Sequence, residues 1–167
     1  MADLHNVFMS HYSGDVQQTR KLQDRLAANG CIVRNSAAKE DEGGVIRNKK
    51  GKPVSDAVIA RYLKMRINWA GTFIVIIGEQ THERAWVNYE IEQANKMGKR
   101  IVGIYDYGCK EKVPLPGAFE KYGNNLIGWN SLDKLSDVIN GGYVPFENFD
   151  SSPATASSYP MIYIKCS

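Results

Sequence analysis

The chain has 167 residues, enough for one ordinary domain with a sizeable core. It is 43% hydrophobic and 23% charged, the balance of a globular protein, which excludes repeat and collagen-like classes. The formal net charge of +3 comes from scattered basic residues that mostly neighbour acids, so the balance excludes a dedicated nucleic-acid surface.

The first predicted element is a strand, Asn6–Ser10 (NVFMS). A helix follows over Asp15–Asn29, with Val16, Thr19, Leu22 and Leu26 on one face, Ser13 or Asp15 as N-cap and Gly30 as the stop. Cys31–Arg34 reads as the second strand. The segment Asn35–Pro53 is long for a connection, Gly-rich and densely charged, the profile of a functional loop. Its basic run RNKKGK is expected to form a solvated turn at Gly51.

Val58, Ile59, Tyr62 and Leu63 mark a helix over Ser55–Ile67. Thr72–Gly78 (TFIVIIG) is almost continuously apolar and β-branched, as a strand buried on both faces should be. A third helix is predicted over Thr81–Met97, stopped at Gly98, and a fourth strand over Arg100–Asp106. Pro114, Pro116, Gly117 and Gly123 then break the pattern. Beyond them only Leu126–Trp129 and Ser131–Asn140 look like a short strand and a helix.

The alternation predicts an α/β fold of flavodoxin-like type, a central parallel sheet flanked by helices with right-handed crossovers. Ligands would bind beyond the carboxyl ends of the strands. The expected domain covers residues 1–149. Residues 150–167 form a tail, with Ser151–Pro160 as a loose linker and Met161–Lys165 available as an added edge strand or a surface segment.

One acid breaks the pattern of the third helix. Wound at about 100° per residue, Val87, Ile91 and Ala94 form an apolar stripe with Trp86 and Met97 beside it. Glu90 falls roughly 40° from Trp86, inside that arc. A carboxylate aimed at a core is either paired or lines a cleft where its charge is used, and the spacing leaves both open. Trp86, one turn earlier, is equally core or a wall of the same pocket.

Ser10, His11, Tyr12 and Ser13 follow the first strand, where a helix N-terminus would favour an anion such as a phosphate, although any such turn also needs an N-cap. Arg34, Ser36 and Asn48 flank the corresponding end of the second strand. His5, His11 and His82 have no metal-ligand spacing, so no metal is expected. No nucleophile elbow, phosphate-binding loop or dinucleotide fingerprint occurs. Cys31, Cys109 and Cys166 are odd in number, widely spaced and free of CxxC, the pattern of reduced thiols in a cytoplasmic protein. No stretch approaches the roughly 18 apolar residues of a membrane span. MADLHNVF lacks the basic and apolar regions of a secretory signal.

NVFMSHYSGD, CIVRNS, TFIVIIGEQT and especially WVNYEIEQANKMGKRIVGIY resemble the TIR-like domains of bacterial antiphage systems of the Thoeris type, over roughly Asn6 to Trp129. The most specific match is Trp86-x-x-x-Glu90 on the helix after an IVIIG strand. The resemblance implies a TIR-like three-layer sandwich that cleaves NAD+ at the nicotinamide–ribose bond, with Glu90 as the essential residue. It implies NAD+ as a substrate rather than a cofactor, and a cyclic or conjugated ADP-ribose product read by a separate nucleotide-sensing effector. It also implies TIR–TIR self-assembly and contacts to the substrate from Ser10, His11 and Tyr12; Ser36 and Asn48, by their place beside the second strand, and Trp86, by its place one turn before Glu90, are further candidates. Competing readings are a nucleoside deoxyribosyltransferase-like enzyme, whose glutamate attacks the sugar, and a non-enzymatic interaction module in which Glu90 is structural.

Overall fold

The computed structural model describes residues 5–10, 16–35, 48, 50–109, 111–142 and 144–154. In chain order the elements are β1 (His5–Ser10), α1 (Val16–Ala28), β2 (Cys31–Asn35), α2 (Asp56–Trp69), β3 (Thr72–Ile77), a 3-10 turn (Thr81–Glu83) and α3 (Ala85–Lys96). Then come β4 (Arg100–Tyr105), α4 (Gly117–Tyr122), β5 (Asn125–Ile127), a second 3-10 helix (Trp129–Lys134) and α5 (Leu135–Ile139).

The five strands form one sheet, ordered β2-β1-β3-β4-β5 and parallel at every pairing. All six residues of β3 are buried, which is why its sequence is apolar throughout instead of alternating. Phe8 of β1 lies opposite Phe73 of β3, and their rings stack at 5.5 Å. Gly30 and Gly98 both take positive φ, which lets the chain turn sharply after α1 and α3.

Helices cover both faces. Leu22 and Leu26 of α1 pack with Leu135, Val138 and Ile139 of α5 on one side, against Val7, Met9, Ile74 and Ile76. Residues of α2, α3 and α4 pack on the other, against Phe8, Phe73, Val75 and Ile77. This layering is what crossovers of a single hand dictate, because the first connection runs outward from β1 and the next three run the opposite way. The strand order reverses between β1 and β3. In open parallel sheets such a reversal point is where ligands bind, beyond the carboxyl ends of the strands.

The expected fold class matches this architecture, and the differences are local. Ser55 is not the first residue of α2 but its cap, its hydroxyl accepting from Val58 N. The helix expected over Thr81–Met97 divides at Arg84, whose backbone is extended (φ −84°, ψ 112°). The helix expected over Ser131–Asn140 is a 3-10 segment running into the short α5.

Helix α4 was hidden among chain breakers. Pro116 stands at its N-cap, Gly123 closes it by donating to Phe119 O, and the buried Phe119 anchors it. The first residues of the expected linker are ordered rather than loose: Glu147 and Pro153 form an antiparallel bridge, and Ala154 N donates to Phe146 O. The Ser13 or Asp15 cap, the rest of the linker and the Met161–Lys165 segment lie outside the described residues.

Candidate active site

Helix α3 runs back from the carboxyl end of β3 and seats Val87, Ile91 and Ala94 against the sheet. Burying three such side chains contributes a few kcal/mol in total. Glu90 is carried into the same buried surface and is only 2% exposed. It sits in the second turn, roughly 8 Å along the helix axis from Ala85 at 1.5 Å per residue. That depth keeps it within two turns of the carboxyl end of β3.

The corner that launches α3 is tied by side chains rather than by a conventional cap. Thr81, 1% exposed, accepts from Gly78 N at 2.8 Å and donates to Ile76 O at 3.4 Å, fastening the 3-10 turn to the end of β3. Asn88 joins the start of α3 to the first turn of α4, its Oδ1 accepting from Ala118 N at 3.0 Å. Neither residue stands out in the sequence, because both act through backbone partners that only the tertiary fold supplies.

Ser10 is 2% exposed at the carboxyl end of β1. Strand alternation puts it on the Phe8 side, the face that α2 and α3 cover, so Ser10 and Glu90 share one layer. Trp86 is half-buried against the same core and meets Tyr89 edge-to-face, with ring centroids 5.3 Å apart.

Asn48 stands apart from them on an exposed turn. Its Oδ1 accepts from Lys50 N and Lys52 N, and Gly51 beside it has φ +77°. This is the solvated turn expected for the basic run. His11, Tyr12 and Ser36 lie outside the described residues.

A cleft of about 280 Å³ opens beyond β3 and β4, lined by Gly78, Glu79, Thr81, Asp106, Tyr107 and Cys109 among others. Burial pushes the Cys109 thiol up against the lowering effect of its hydrogen bond to Glu111 O, and the charges of Asp106, Glu79 and Glu111 each add a smaller push upward. Burial also raises the Cys31 thiol. Neither environment favours a thiolate nucleophile. Among the described residues no group of three or more His, Cys, Asp or Glu could hold a metal, and no helix is long and apolar enough to cross a membrane.

Glu147 is a second buried carboxylate. Glu147, 3% exposed, accepts from Gly128 N at 3.0 Å, Ser131 Oγ at 3.0 Å and Lys134 Nζ at 2.8 Å. It buckles the segment after α5 onto the end of β5, and sequence spacing gave no sign of it.

The chain is similar to several known proteins. A Bacillus cereus (strain MSX-D12) protein, ThsB1, whose name carries a provisional assignment as a cyclic ADP-D-ribose synthase, is 36% identical over 86 residues. The match covers 52% of this chain and 43% of that protein, so the chain spans less than half of the relative's length. A 2-deoxyribosyltransferase from Bacillus psychrosaccharolyticus superposes with a TM-score of 0.50 at 14% identity, over 77% of this chain and 90% of that one, which is a likeness of fold alone. The TIR domains of the activated Roq1 resistosome give a TM-score of 0.42 at 15% identity, over 60% and 57% of the two chains. Residues 8–111 match the family described as Thoeris protein ThsB, TIR-like domain, and the chain belongs to that family.

Proposed function

We propose that the protein cleaves the nicotinamide–ribose bond of NAD+ and makes a cyclic or conjugated ADP-ribose that signals to a separate effector in antiphage defence. The observation that carries the reading is Glu90: a carboxylate 2% exposed, one turn after Trp86, on the helix that starts at the ligand end of β3. Family membership and the name of the B. cereus relative support the substrate class.

The chemistry suits a single carboxylate. As the C1′–N bond breaks, its electron pair leaves with the ring, and the cationic nicotinamide becomes neutral. The leaving group therefore needs no proton, unlike the oxygen leaving group of a glycoside. Positive charge develops on the ribose as an oxocarbenium ion. Glu90, withdrawn from bulk water, stabilises that charge more than a solvated carboxylate would. A nucleophile then bonds to C1′ and gives up a proton. An adenine nitrogen of the same molecule yields a cyclic product, a second nucleotide a conjugate, and water free ADP-ribose. In this reading Ser10 contacts the ribose or phosphates at the mouth of β1, and Trp86 holds the helix that carries Glu90.

The test is incubation with NAD+ and, in parallel, with nucleosides and free bases, the products being identified by mass spectrometry. Protein from resting and from phage-challenged cells should both be assayed, since assembled or triggered states are common among TIR enzymes. Nicotinamide with a cyclic or conjugated ADP-ribose supports the reading. Base exchange between nucleosides without NAD+ turnover replaces it with the transferase reading. Inactivity on every substrate in both preparations replaces it with a non-enzymatic module.

A further inference from the structure

We infer that Asn88 is a positioning residue for Glu90, setting the rotation of α3 about its own axis; the inference rests on the NAD+ reading above. Three hydrogen bonds meet on its one side-chain amide. Oδ1 accepts from Ala118 N at 3.0 Å, while Nδ2 donates to Arg84 O at 3.2 Å and His82 O at 3.4 Å. An N–H on one side and two carbonyls on the other fix which end of the amide is oxygen.

Both helix starts lack a cap of their own. No side chain caps α3 at Arg84, and none caps α4 at Pro116. For α4 Asn88 supplies what is missing, taking up an orphan first-turn N–H from across the interface. It thereby locks α3, the 3-10 turn before it and α4 to one another.

The placement makes this lock matter for Glu90. Val87, Ile91 and Ala94 form the buried stripe of α3. At about 100° per residue, Asn88 lies on one flank of that stripe and Glu90 on the other. Apolar contacts are non-directional and set the buried side of α3 more firmly than they set a small roll about its axis. Hydrogen bonds on one flank do not tolerate it. A glutamate carboxyl extends roughly 6–7 Å from the helix axis, so a roll of about 10° moves it by about 1 Å. A displacement of that size at a reacting centre costs up to about a hundredfold in rate.

The experiment compares the full chain with Asn88→Ala and Asn88→Asp, measuring nicotinamide release from NAD+ and hydrogen exchange at backbone amides. Asparagine-to-alanine removes all three bonds, whereas aspartate keeps an acceptor for Ala118 N. The expected result for Asn88→Ala is a kcat roughly 10–100-fold lower with KM within about threefold. Its Ala118 amide should exchange faster while those of β3 and β4 keep their protection. Asn88→Asp should restore Ala118 protection and part of kcat, since its carboxylate accepts from Ala118 N but donates to neither Arg84 O nor His82 O. Wild-type kcat in Asn88→Ala overturns the inference, as does loss of β3 and β4 protection in step with activity, which is general unfolding. Should the wild-type protein release no nicotinamide, the NAD+ reading fails, and unaltered Ala118 exchange in Asn88→Ala would separately overturn the lock.

Discussion

Removing the buried carboxylate of Glu147 should destabilise the fold without touching the chemistry. In Glu147→Ala, Gly128 N–H and Ser131 O–H lose the acceptor they reach at 3.0 Å each. Gly128 and Ser131 are themselves buried, so water reaches these donors poorly. Each unsatisfied buried donor costs about 1–3 kcal/mol, with some relief where water enters the vacated volume, which makes about 2–4 kcal/mol together. The third bond, from Lys134 Nζ, adds little, because that side chain is 46% exposed and its charge is screened. For a chain of 167 residues the loss lowers Tm by roughly 4–16 °C, at about 2–4 °C per kcal/mol. Glu147→Gln keeps one acceptor oxygen and should lose about half as much. Urea titration followed by circular dichroism measures this directly, with the slope expected to stay constant. A Glu147→Ala unfolding free energy within about 0.5 kcal/mol of wild type would refute the claim that these bonds hold the C-terminal segment.

Two further predictions concern the same half of the molecule. Gly103→Ala would bring a methyl group to 2.6 Å from Phe119 Cζ and 2.9 Å from Leu126 Cδ1, so it should destabilise by about 1–3 kcal/mol in thermal melts despite being a one-carbon change. The hydrogen bond to Glu147 raises the Lys134 ammonium above its ordinary value of 10.5. Its contribution is complete below that unfolded value and fades as pH rises through the higher folded one. Wild type should therefore lead Lys134→Met in urea by a constant margin from neutral pH to about pH 10, and the margin should shrink beyond. A margin that grows at alkaline pH would reverse the sign of the linkage.

How much of this was legible in the sequence follows from the range of each interaction. TFIVII declared β3 because a strand covered on both faces must be apolar at every position. Val87, Ile91 and Ala94 declared the buried side of α3, and Glu90 stood out against them because helix periodicity is local. Helix α4 was not legible. Six residues between Pro116 and Gly123 carry too little periodicity, and the helix depends on Phe119 packing over Gly103 of β4 as well as over its own C-cap Gly123. Thr81, Asn88 and Glu147 escaped for a related reason. Their partners are backbone groups or distant side chains, and composition gives no trace of those. The break at Arg84 belongs with them, since Thr81 tethers the 3-10 turn to β3 and the chain must straighten before α3 begins. Among the proposed substrate contacts, Ser10 and Trp86 lie in the layer of Glu90, while Asn48 is engaged with its own turn.

The central claim is that the buried acid of α3 does chemistry, and Glu90→Gln tests it most directly. Glutamine keeps the shape of the side chain and removes the charge that would stabilise the oxocarbenium ion. The measurement is nicotinamide released from NAD+ by wild type and variant side by side, with melting curves recorded on the same samples. The account predicts release by the wild-type protein, a fall of about a hundred- to a thousandfold in Glu90→Gln, and a melting transition that stays cooperative. Turnover retained by Glu90→Gln, with the fold intact, would contradict it.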